Sequence, residues 1–186
     1  MNVPAEVDRR FRDAAAALDL IDVGYDVLDS PVGPLLVAAS DRGIVRISYE
    51  PDPEEYLEHL ARLVGPRVLR TPRPIEPARR QLDEYFEGRR HAFELDVDVR
   101  IAAPFAERVL HELAFVPYGT TTTYGMLAAR AGKPRAARAV GTVMNRNPIP
   151  IVLPCHRVIG ADGSLVGYGG GLSRKEQLLR LEGALL

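Results

Sequence analysis

The stretch "VLPCHRV", residues 152 to 158, holds the only cysteine among the 186 residues, with a proline before it and a histidine after it. A lone cysteine is most often a small buried hydrophobe. The alternative is covalent chemistry: the thiolate is the nucleophile, and nearby positive charge together with a base favours it. His156 and Arg157 supply both. In an extended segment adjacent side chains point to opposite faces, so Cys155 and His156 cooperate only through a bridging water or a bend after Pro154. A carboxylate would orient the imidazole. "SRKE" reads as the start of a C-terminal helix, Ser173 forming a capping box with Glu176 and Gly183 ending the helix. Leu178, Leu179 and Glu182 then lie on neighbouring rows. In the last turn the helix dipole disfavours Glu182 by a few tenths of a kcal/mol. That carboxylate either holds His156 or frays into solvent. Residues 160–173, "GADGSLVGYGGGLS", are either a flexible linker or a loop whose backbone approaches a ligand, with Tyr168 offering a flat stacking surface.

Composition bounds these readings. With 46% hydrophobic and 26% charged residues, the chain fits one large or two small globular domains. A single cysteine allows no internal disulfide and no cysteine-rich zinc site, which implies a reducing compartment. His59, His91, His111 and His156 are scattered, so no metal and no cofactor are expected. Residues 1–20 carry charges where a signal peptide needs an apolar segment, and no apolar run reaches membrane-spanning length, so the expected location is the cytoplasm. The net charge is -1, yet residues 101–186 hold ten Lys/Arg against five Asp/Glu, and no acidic residue falls between Glu112 and Asp162. An acid-free tract carrying Arg130, Lys133, Arg135, Arg138, Arg146 and Arg157 points toward a polyanion.

The elements that must position these groups follow from periodicity and turn chemistry. Residues 1–20 read as a short amphipathic helix with Phe11, Ala15 and Leu18 on one face. "VGYDVL", "PLLVAAS" and "GIVRISY", separated by Asp-Ser-Pro and Asp-Arg-Gly turns, predict an antiparallel meander. Helices are predicted over residues 53–64 and 75–87, the latter stopped by Gly88, then a strand over "AFELDVDV", 92–99. The domains expected are an extension over 1–20, an α/β domain over 21–100 and a helical domain over 101–186. In the latter, 104–115 is one helix, Thr120–Thr123 cap the next, and Pro134 opens a third that Asn147-Pro148 closes. Two helices across Gly132 form either an ordinary hairpin or a helix-turn-helix. The small residues Ala136, Ala137, Ala139 and Gly141 around Arg138 suit close approach to something narrow, such as a minor groove, better than major-groove readout.

Taken together, "PCHRV", the preceding "RAARAVGTVMNRNPIPIV" and the following "GYGGGLSRKEQLLRLEG" closely resemble the O6-alkylguanine-DNA alkyltransferases. The resemblance is looser in the N-terminal half, where "DSPVGPLLVAAS" and "LDEYFEG" carry it. It implies an α+β fold: an N-terminal antiparallel sheet with helices, ribonuclease H-like, followed by a winged helix-turn-helix domain. It also implies that Cys155 accepts an alkyl group irreversibly, with His156 activating it through a water and Glu182 orienting the histidine. Arg138 looks like the arginine that replaces the extruded nucleotide, Tyr124 like the tyrosine assisting rotation, and Asn147 like the link from recognition helix to active-site segment. Thr123, Lys133 and Arg135 would join the small α-helical face on DNA, while Tyr168, Gly169, Val158 and Pro150 would line the substrate pocket. The implied partner is double-stranded DNA carrying O6-alkylguanine, and O4-alkylthymine as well, met through the minor groove by a monomer. Asn145 departs from the basic residue of some relatives. A winged-helix regulator with a redox-sensing cysteine, and a non-catalytic alkyltransferase-like binder, are the alternatives. The binder class lacks the acceptor cysteine.

Overall fold

The computed structural model describes residues 4–18, 20–49, 53–100 and 103–185. They form two compact units: one ends at Glu84 and takes in Glu94–Arg100, and the other joins Tyr85–Phe93 to the chain after Arg100.

In the first unit β1 (Val23–Leu28), β2 (Leu35–Ser40) and β3 (Gly43–Ser48) form the expected meander, with Leu28 opposite Leu35 and Leu36 opposite Ser48. The near-continuous apolar run of β2 marks a strand covered on both faces, and it is buried from Leu35 to Ala39. α2 (Pro53–Leu63) leads into a short strand that the sequence pattern did not disclose, β4 (Val68–Arg70), which pairs in parallel with β1. The sheet order is therefore β3-β2-β1-β4, a mixed sheet in place of a purely antiparallel one. Val23, Leu36, Ala38, Val45 and Leu60 make its core.

Residues 92–99 do not form the expected strand. They touch β3 only at an isolated Ile44–Val97 bridge, because the Gln81 side chain takes both backbone groups of Glu94. α3 (Glu76–Phe86) ends near Gly88, whose φ is +72°, as the sequence indicated. α1 (Ala5–Ala17) is helical, yet of its predicted face only Ala15 is buried, while Phe11 and Leu18 are exposed.

In the second unit α4 (Pro104–Ala114), α5 (Tyr124–Arg130) and α6 (Ala137–Asn145) bury Val109, Leu110, Leu113, Leu127, Ala128 and Val140. Thr123 caps α5 by accepting from the Met126 N–H at 3.2 Å, and Gly132 ends the turn with φ +80°. α6 starts at Ala137, three residues after Pro134, because Lys133–Ala136 close a separate turn. β5 (Thr122–Thr123) pairs in parallel with β6 (Val158–Ile159) and so joins the entry of α5 to the segment just after the cysteine. α7 (Leu172–Leu181) starts after Gly171, at φ +86°. That start puts Ser173 inside the helix, so the predicted capping box is absent and Glu176 pairs with Arg180 instead.

Candidate active site

The segment from α6 to the cysteine is fixed from within. Asn147 donates from Nδ2 to the Leu153 carbonyl at 2.8 Å and accepts the Ile149 N–H at 3.1 Å. Ile151 is fully buried with φ +75°, a left-handed conformation that a β-branched residue adopts only where its surroundings impose it. After Pro154 the chain makes a single 3-10 turn, Cys155–Arg157. This is the bend after Pro154 that the sequence offered as one of two alternatives, since successive side chains of such a turn diverge by about 120° and need not face opposite ways.

Cys155 is 4% exposed. Burial pushes its thiol up to about 11, against the Asn147 hydrogen bond and the charge of Lys175, so the resting group at neutral pH is the thiol. His156 is fully buried, and burial lowers its pKa despite the carboxylate of Glu182, whose Oε1 lies 2.8 Å from Nε2. An ionised carboxylate only accepts, so Nε2 carries the proton. The Nδ1 lone pair is buried and has no hydrogen-bond partner among the described residues.

Glu182 does not fray. Arg157 grips it side-on, Nε to Oε2 at 2.8 Å and Nη2 to Oε1 at 2.8 Å, while the Tyr85 hydroxyl donates to Oε1 at 2.7 Å and the Gly119 N–H to Oε2 at 3.4 Å. Burial would raise its pKa, but the hydrogen bonds and charges of His156 and Arg157 outweigh that and hold the carboxyl at about 2. Arg157 also donates to the Val116 carbonyl at 2.5 Å. Its charge is therefore engaged by Glu182, and the expectation that Arg157 electrostatically assists the thiol is corrected.

The cation that acts on the thiol is Lys175, which sequence reasoning missed. It is fully buried, donates to the carbonyls of Val158 at 2.5 Å and Val166 at 2.8 Å, and desolvation lowers it to about 8. Its signal was present: Lys175, Leu178, Leu179 and Glu182 share one helical stripe. Tyr85, 97 residues from Glu182, had no local signal.

A cavity of about 460 Å³ opens between Tyr124, Ala137, Arg138, Gly141, Met144, Asn145, Val166 and Gly167. Arg138 and Ala139 are exposed on α6, and Ala136 and Ala137 are half-buried. A Cβ at Gly141 would meet the Tyr124 ring at 3.9 Å, an ordinary van der Waals contact. The Tyr124 hydroxyl donates to Val166 O at 3.3 Å, and its pKa is raised by burial and by Cys155. Lys133 and Arg135 are exposed in the turn before α6, with Lys133 Nζ 5.0 Å from the centre of the Phe105 ring. Of the predicted pocket residues, Val158 and Pro150 are buried and Tyr168 and Gly169 follow Val166 and Gly167 on the glycine-rich segment; none of the four lines this cavity. Among the described residues no group of three or more His, Cys, Asp or Glu could hold a metal, and no helix is long and apolar enough to cross a membrane.

Two family models cover most of the chain: 6-O-methylguanine DNA methyltransferase, ribonuclease-like domain, over residues 23–99, and 6-O-methylguanine DNA methyltransferase, DNA binding domain, over residues 104–184. The chain belongs to this family. A methylated-DNA–protein-cysteine methyltransferase of Methanosarcina barkeri is 42% identical over 165 residues, 85% of this chain and 96% of that protein. The one of Mycolicibacterium paratuberculosis is also 42% identical, over 86% of this chain and 92% of its own. Among solved structures, the Mycobacterium tuberculosis O6-methylguanine methyltransferase is 41% identical with a TM-score of 0.76, covering 87% of this chain and 93% of that one. The M. tuberculosis protein in complex with DNA is 39% identical with a TM-score of 0.76, over 86% and 92%.

The buried ion pair makes the site sensitive to acid. Glu182 has a depressed folded pKa, so its contribution to stability is present above the ordinary value of 4.5 and is lost as pH falls toward about 2. His156, lowered from 6.5, adds a loss that begins as pH drops through that value. Glu182→Gln strands the Arg157 guanidinium and should destabilise the fold by about 3–5 kcal/mol at neutral pH. Urea unfolding as a function of pH checks this: the difference between the two proteins should shrink as pH falls from 5 toward 2, on the order of the carboxylate's titration range.

Proposed function

We propose that this protein repairs alkylated DNA directly, moving the alkyl group of O6-alkylguanine onto Cys155 once per molecule. The observation that carries the assignment is a buried thiol next in sequence to a buried imidazole whose Nε2 is tied to Glu182 and whose Nδ1 has no hydrogen-bond partner among the described residues. The thiol rests protonated, so a base must take its proton as it attacks. His156 Nδ1 takes it through a water, Cys155 Sγ bonds to the alkyl carbon, and the bond from that carbon to O6 breaks. The electron pair leaves on the base, which takes up a proton on the side of Tyr124, giving guanine and an S-alkylcysteine. A thioether is a poor leaving group and the chain holds no second thiol, so the step is not reversed.

The lesion reaches the sulfur by leaving the stack, because a base inside a duplex presents no path for attack in line with the C–O6 bond. The small residues Ala136, at the start of α6, and Ala137, Ala139 and Gly141 within it let the helix approach a minor groove closely, Arg138 fills the space the nucleotide leaves, and Lys133 and Arg135 neutralise phosphates. Thr123 and Asn147 act by holding α5 and the cysteine segment. The cavity beside Tyr124 and Arg138 receives the base, and Tyr168, Gly169, Val158 and Pro150 are further residues of the substrate pocket. O4-alkylthymine is a second substrate, and the protein acts as a cytoplasmic monomer without cofactor. A redox-sensing regulator fits poorly, since sensor cysteines are exposed and of low pKa, and Cys155 is neither.

Titrating the protein against an O6-methylguanine duplex and mapping the modified peptide tests the assignment. One methyl per protein should appear, on Cys155, and Cys155→Ala should transfer none while still binding DNA. Repeated turnover, or methyl on another residue, contradicts it. Arg138→Ala separates extrusion from chemistry: its rate on duplex should fall about tenfold or more, a kcal/mol or two of lost support for the open state, while its rate on free O6-benzylguanine stays near that of the parent. Equal losses on both substrates would assign Arg138 to the chemistry or the fold.

A further inference from the structure

We propose that Tyr85 is a positioning residue for the transfer reaction, tuning the basicity of His156 through Glu182. The proposal rests on Cys155 being the acceptor and His156 its base. Tyr85 closes the last turn of α3 and is completely buried, its ring packed against Phe86, Phe93 and Tyr118 at centroid distances of 5.3, 5.4 and 6.1 Å. Its hydroxyl reaches Glu182 Oε1 at 2.7 Å, the same oxygen that holds His156 Nε2 at 2.8 Å. Oε1 thus serves three donors, the third being Arg157 Nη2 at 2.8 Å.

An oxygen shared in this way has less negative charge to offer any one donor. If Glu182 faced His156 alone, the pair would favour imidazolium, and a protonated imidazole cannot take the thiol proton. Burial is the main reason the imidazole stays neutral, and Tyr85 and Arg157 add to it by drawing on the carboxylate. Arg157 also neutralises the carboxylate and cannot be removed without stranding a buried charge. Tyr85 has only a hydrogen bond to lose, and its ring alone fills its place in the aromatic cluster. The other charged groups that act on His156 are Arg157 and Lys175, both of which disfavour its protonation.

The test is the pH dependence of single-turnover alkylation by free O6-benzylguanine, which needs no DNA. In Tyr85→Phe the carboxylate is less shared and imidazolium is better held, so the acid limb should move to higher pH by on the order of half to one unit. Placing 3,5-difluorotyrosine at residue 85 makes a stronger donor of the same shape and should move the limb the other way. Opposed shifts support the proposal, whatever happens to the melting temperature. A limb that stays at its parental pH in both variants, or in the fluorinated one if Tyr85→Phe does not fold, overturns it. Mapping the benzyl group in the unmodified protein separates the two levels: a label anywhere but Cys155 overturns the underlying assignment and this proposal with it.

Discussion

A carboxylate kept ionised inside a protein constrains everything near it, because its desolvation penalty is several kcal/mol unless donors surround it. Glu182 has five such hydrogen bonds, two from Arg157 and one each from His156, Tyr85 and Gly119. The arrangement dictates the local fold. Arg157 and His156 reach the same carboxylate only because Cys155–Arg157 is a tight 3-10 turn, and that turn also sets where the sulfur sits. Gly119, at φ +71°, brings its N–H to Oε2 where an added Cβ would come within 3.0 Å of the Glu182 carbonyl. α7 must end at Glu182 for the carboxylate to turn inward, and Gly183, at φ +70°, ends it.

The same constraint divides the positive charges among distinct tasks. Arg157 belongs to Glu182, so it contributes little to the thiol directly. Lys175 is coupled to the thiol electrostatically while tying Val158, beside the cysteine, to Val166 in the glycine-rich segment. Val166 O also accepts from Tyr124, whose hydroxyl lies 3.5 Å from the Gly167 carbonyl as well, so a lysine and a tyrosine together hold this wall of the cavity. Burial leaves the imidazole neutral and the sulfur a thiol at rest, which is the protonation state the proposed transfer starts from.

Much of this was legible in the sequence. The meander announced itself through alternation and turn residues, and the cysteine, histidine and glutamate through their types and helical rows. What escaped did so for physical reasons. β4 is three residues long, too short for a period to show, and its pairing partner lies forty-five residues earlier in the chain. Residues 92–99 alternate as a strand should, but a glutamine side chain captured the backbone groups that a ladder needs. The capping box at Ser173 lost to Gly171, whose positive φ started the helix earlier. Arg157 read as a charge beside a thiol because adjacency in sequence is visible and the competing carboxylate is not. Tyr85 was beyond reach, since nothing near it in the chain hints at a partner 97 residues away.

The resting site holds a neutral histidine protonated on Nε2, whose Nδ1 has no hydrogen-bond partner among the described residues, next in sequence to a protonated thiol. Nitrogen NMR of the protein labelled in its histidines reads this directly. The account predicts that His156 shows a protonated Nε2 and an unprotonated Nδ1 at neutral pH, and that it begins to gain its second proton only at a pH below the ordinary histidine value of 6.5. An imidazolium at neutral pH, or a proton on Nδ1 with Nε2 bare, would contradict it.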